Sequence, residues 1–84
     1  MDQLRIHAAL LSAPGVDRVI HLRTLHLGPE ELLVAAKIGV SPDADGEDIA
    51  ATIDDAEARV RSELPTARII YLEPDIYRSE PAAT

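Results

Sequence analysis

The stretch VDRVIHLRTLHLGPEELLVAAKIGV, residues 16–40, decides how this chain folds. Residues 16–27 alternate in character as a strand does, and residues 31–40 do so again. Gly28-Pro29 lies between them and marks a turn. Two such runs joined by so short a link form an antiparallel hairpin. In the second run Leu32, Val34, Ala36, Ile38 and Val40 are uniformly apolar. Side chains of a strand point alternately to its two faces, so this set marks the buried face.

Outward from the hairpin, helices and strands follow in turn. Residues 2–13 read as a helix with Leu4, Ile6, Leu10 and Leu11 as its apolar stripe, stopped by Pro14-Gly15. Residues 41–46 form a polar, acidic loop. Residues 47–64 read as a second helix, with Ile49, Ile53, Ala56, Val60 and Leu64 recurring at spacings of three and four. Asp55 with Arg59 and Glu57 with Arg61 are acid-then-base pairs at the spacing that helices favour. Pro65 ends this helix, residues 67–73 form a third strand, and Pro74 closes it. The order α-β-β-α-β makes the second helix a crossover, so strands two and three run parallel. The expected fold class is α+β, a ferredoxin-like two-layer sandwich without its first strand. Its three-stranded mixed sheet carries both helices on one face. We expect one domain over residues 1–78 and a flexible tail over 79–84.

Alternation also sorts the other strands. Ile20 and Leu22, and Ile70 and Leu72, join the buried set. The opposite face then carries Val19, His21, Arg23 and Leu25 from strand one, Leu33, Ala35 and Lys37 from strand two, and Ile69, Tyr71 and Glu73 from strand three. No helix is left to cover it. A face that is half apolar and half polar has the composition of a protein–protein interface.

Composition narrows the function classes. The 84 residues make one small domain, whose core alone gives modest stability and which gains from association. Absent cysteine removes disulfides, thiolate metal sites and thiol catalysis. The net charge is −7, concentrated between Asp43 and Glu63, which argues against nucleic acid as a partner. No apolar run is long enough to span a bilayer. Without Cys and Asn, with no nucleophile–base pair evident, and with no glycine-rich phosphate loop, no catalytic constellation forms, and an enzyme is not expected. The acidic run 43–48 has its glycine at the fourth position instead of the sixth, so it is not a calcium loop. It suits the positive end of a helix.

One ordered set of residues adds a resemblance. It comprises Leu11-Ser12-Ala13-Pro14-Gly15-Val16, Leu22-Arg23-Thr24, Gly28-Pro29, Leu33-Val34, Glu57, Leu64-Pro65, and Ile69-Ile70 through Glu73-Pro74. Over residues 4–75 this set resembles the C-terminal domain of the cation diffusion facilitator transporters. The resemblance implies a cytoplasmic dimerisation and regulatory domain of a divalent-cation efflux transporter. Such a domain sits at the cytoplasmic face of the cell membrane. Its partners would be a second copy and the transmembrane domain of the same transporter. The expected interface is Val19, His21, Arg23, Leu33, Lys37, Ile69, Tyr71 and Glu73.

The resemblance also bears on metal. Zinc-regulated members carry a histidine before Leu-Arg-Thr, one in strand two, and His-x-Asp in strand three. Here those positions fall on Ile20, on Lys37 (or Ala36) and on Tyr71 with Glu73. A lysine ammonium does not ligate metal, so we expect Lys37 and Glu73 to pair as ions where relatives hold a cation. No cofactor is required and no metal site is assigned. The residues nearest to one are His21, Glu73 and His26, for a divalent cation such as zinc or manganese. His7 reads as an inert surface histidine. The competing reading is a stand-alone ferredoxin-like module binding metal or a small molecule, of metallochaperone or ACT type.

Overall fold

In the computed structural model, which describes residues 2–76, the order is α1 (Asp2–Ser12), β1 (Arg18–Gly28), β2 (Glu31–Gly39), α2 (Gly46–Glu63) and β3 (Ala67–Asp75). The sheet order is β1-β2-β3, with β1 antiparallel and β3 parallel to the central β2. This is the expected ferredoxin-like α+β arrangement. The expected tail over 79–84 lies outside the described residues.

Strand β2 organises the core. Leu32, Val34, Ala36 and Ile38 are buried while Leu33, Ala35 and Lys37 between them are half-buried. Onto the buried side pack Ile6 and Leu10 of α1, Ala56 and Val60 of α2, and Ala67 and Ile70 of β3. Helix α2 starts at a capping box: the Asp45 carboxylate accepts from the Asp48 amide at 2.8 Å, and the Asp48 carboxylate accepts from the Asp45 amide at 3.3 Å. Two orphan amides are thereby satisfied. The helical ion pairs Arg59–Asp55 (2.8 Å) and Arg61–Glu57 (3.6 Å) both form.

Polar ties fix α1 on α2 at both ends. Arg5 Nε meets Glu63 Oε1 at 3.2 Å, and its Nη2 donates to the Glu63 carbonyl at 2.9 Å. Arg59 Nη1 donates to Ser12 Oγ at 3.2 Å. Only Ile6 and Leu10 of the α1 stripe are buried; Leu4 is 64% and Leu11 43% exposed. Residues four apart share a helix face, whereas Leu4 and Ile6 stand about 200° apart around the axis, so the expected broad stripe is a narrow one.

Two further expectations are corrected. Val19 pairs with Ile38 and His21 with Lys37, so the register slips at Ile20. One extra residue in a strand shifts alternation. Val19 therefore packs against the core, and Ile20, without a partner residue on β2, does not join it. Strand β3 also passes through Pro74, opposite Ile38, to Asp75. It is an edge strand, where a proline costs no ladder bond if its missing N–H faces outward.

Gly15 turns the chain between α1 and β1 with φ of 96°, and a β-carbon there would strike Thr52 Oγ1. Gly28 has open space around it. Gly15→Ala should cost about 2 kcal/mol in urea unfolding, whereas Gly28→Ala should stay within about 0.5 kcal/mol.

Candidate dimer face

The sheet face away from the helices is built in rows, because residues paired across strands share a face. Leu25, Leu33 and Ile69 form an apolar row. Arg23, Ala35 and Tyr71 form the next, and His21, Lys37 and Glu73 the third. Arg18 and Asp75 flank Gly39 in a fourth. The bulge at Ile20 keeps His21 in this array; without it the β1 alternation would leave Arg18 and His21 on opposite faces.

The face exposes apolar surface at one end, with Leu25 57% and Tyr71 64% exposed. At the other end charges gather. Lys37 Nζ lies 3.9 Å from Glu73 Oε2 and 3.8 Å from Asp75 Oδ2. The expected Lys37–Glu73 pair forms, and Asp75 shares the lysine. Both contacts are long and partly solvated, so each stabilises the monomer little. His21, Arg23, Lys37, Tyr71 and Glu73 also line a shallow depression of about 590 Å³, to which Glu57 of α2 contributes. Arg23 makes no hydrogen bond or ion pair among the described residues.

Seven of the eight expected interface residues stand on this face: His21, Arg23, Leu33, Lys37, Ile69, Tyr71 and Glu73. Val19 does not, for the reason given by the bulge. His26 pairs with Leu32 and so lies on the helix side, beside Asp2, Gln3 and Thr24, across the sheet from His21 and Glu73. The three nearest metal-ligand candidates are thus not brought together. Lys37 stands between His21 and Glu73 in their row. Among the described residues no group of three or more His, Asp or Glu is placed to hold a metal ion. Asp75 and Arg18 were missed in the sequence; the alternation Ile69, Tyr71, Glu73, Asp75 carries the signal for the first once Pro74 is not taken as a stop.

No described helix is long and apolar enough to cross a membrane. No curated protein matches the chain. Solved structures of the MamM C-terminal domain do. The nickel form of an aspartate-to-asparagine variant has a TM-score of 0.85 and 26% identity, over 92% of this chain and 96% of that one. The manganese form of a glutamate-to-aspartate variant gives 0.84 and 28%, over 90% and 95%. A variant with aspartate and histidine both changed to alanine gives 0.85 and 28%, over 92% of each. The family model ZT_dimer, described as "Cation efflux protein, cytoplasmic domain", matches residues 1–75. With a match over most of its length, the chain belongs to the family of cation efflux protein cytoplasmic domains.

Proposed function

We propose that this chain is the non-catalytic dimerisation domain of a divalent-cation efflux transporter, and that it pairs with a second copy through the open sheet face. The observation that carries this reading is the uncovered face itself. It joins an exposed apolar row to a row of charges on a sheet whose other side holds the core. Leu25 and Tyr71 on that face find no cover among the described residues, and an exposed patch rimmed by polar groups marks an interaction site. In the whole transporter the domain lies on the cytoplasmic side, coupled to the transmembrane domain.

The two chains associate without a bridging cation. Solved MamM domains are described in nickel and manganese forms. Here Lys37 supplies a fixed positive charge between Glu73 and Asp75. An ammonium beside two carboxylates offsets their repulsion as a divalent ion would, and it opposes the entry of one. A cation site built on His21 and Glu73 would have to displace it.

Two substitutions check this reading. Leu25→Asp places a charge in the apolar row at an exposed position, so folding should survive. Dimer affinity should fall about 30-fold or more in sedimentation equilibrium, the size of a lost interface anchor. Lys37→Ala leaves two carboxylates of each chain without their cation, and should weaken the dimer roughly three- to tenfold at low salt. Unchanged affinity in both would exclude the sheet face as the interface.

A further inference from the structure

Ala35 stands in the middle of the open face, flanked by long side chains. Its row places Arg23 of β1 on one side and Tyr71 of β3 on the other, and the next row brings His21, Lys37 and Glu73. A methyl group between a guanidinium and a phenol leaves a hollow, and these residues line the depression of about 590 Å³. That volume falls within the range of small-molecule sites.

The charges around the hollow are not all paired. Lys37 is held by Glu73 at 3.9 Å and by Asp75 at 3.8 Å. Arg23 is exposed and makes neither hydrogen bond nor ion pair among the described residues. The strand pairing gives the reason. Its neighbour on β2 is Ala35, which offers no side-chain acceptor, and Tyr71 stands two strands away, about 10 Å. An exposed guanidinium beside a hollow suits a planar anion, because its fork of donors matches a carboxylate bidentately. His21, two residues back on β1 and in the same array, adds a ring N–H.

The surroundings select which anion. Glu57 and Glu73 line the depression too, and the chain carries a net charge of −7, so a polyanion is repelled. An inorganic ion would meet Arg23 and His21 and leave the floor of the hollow in water. A ring reaches across it, with the Ala35 methyl beneath and Tyr71, 64% exposed, on the far side. Aromatic rings meet favourably in offset or edge-to-face contact. We propose that the hollow over Ala35 binds a small aromatic monocarboxylate. Arg23 and His21 hold its carboxylate, and Ala35 and Tyr71 pack on its ring.

The site uses residues of one chain and does not require a second. Its consequence for association rests on the proposed pairing through the same face. A ring in the middle of that face takes space that the second copy would fill. Ligand and partner then exclude each other, and each weakens the other by the same factor. The ligand thus limits association according to its own concentration.

Benzoate is the probe. Benzamide is its uncharged isostere, and inorganic phosphate is an anion without a ring. Each is titrated at matched ionic strength into the isotopically labelled chain and followed by amide chemical shifts. Leu25→Asn, a polar change that weakens pairing without adding charge beside Arg23, is titrated alongside, so that a tight dimer does not hide the site. Benzoate should shift the amides of residues 21–23, 35–37 and 71–73 saturably, with a Kd of about 1 mM, ordinary for so small a ligand. Benzamide and phosphate should bind at least about tenfold more weakly, and Arg23→Gln should lose about tenfold of the benzoate affinity. Arg23→Lys, which keeps the charge and loses the fork, should fall between. In sedimentation equilibrium, benzoate at about ten times its Kd should raise the dimer Kd about 100-fold, because both chains must release ligand to pair.

No saturable shift in Leu25→Asn, equal binding of benzamide or phosphate, or full benzoate affinity in Arg23→Gln would overturn the site and leave the pairing standing. A dimer that keeps its affinity with benzoate bound would overturn pairing through this face and leave the site standing. A parent chain that is monomeric at every concentration and still binds benzoate would overturn the pairing alone.

Discussion

Strand β2 is the constraint from which the rest follows. Among the described residues it is the only strand bonded on both edges, antiparallel to β1 and parallel to β3. Its alternation is strict, with Leu32, Val34, Ala36 and Ile38 buried and Leu33, Ala35 and Lys37 turned the other way. A strand has two faces, and the described residues supply helices for one. The buried side fixes where α1 and α2 dock. The other side is left to whatever covers it from outside.

That division ties stability to function. The core is small, and the largest side chains it buries fully are Ile6, Leu10, Leu32, Ile38, Val34 and Val60. A domain of this size is marginally stable by itself. Association that buried the second face would add stability that grows with the logarithm of chain concentration. In the proposed pairing the charges at the far end of that face would set orientation and ionic-strength dependence more than raw affinity, as polar groups at interfaces do. Lys37, held by two carboxylates at 3.8 and 3.9 Å, makes the central charge a property of the chain instead of the metal supply.

Much of this was legible in the sequence, because period-two and period-3.6 patterns are set by local geometry. The hairpin, the crossover helix and the β2 faces follow from alternation alone. What was not legible lies where a strand departs from ideal geometry. A bulge adds one residue without leaving a compositional mark, since Val19, Ile20 and His21 suit either register. Val19 therefore went to the wrong face, although the residues after the bulge were sorted correctly. Pro74 hid Asp75, because a proline ends a central strand but not an edge strand. Leu4 and Leu11 read as core because apolar residues on a short helix do not state which arc meets the sheet. The family resemblance carried what no spacing shows, namely that the expected partner is a second copy. The substitution of Lys37 at a ligand position was visible from that resemblance, whereas its second carboxylate, Asp75, needed the fold.

We propose that a fixed lysine, and not a bound cation, lets two copies of this domain associate. Sedimentation equilibrium of the chain at several concentrations, first with chelator and then with excess Zn²⁺ or Mn²⁺, tests it directly. A dimer of the same affinity under all three conditions is the predicted result. A chain that is monomeric with chelator and dimerises only on addition of metal would contradict it.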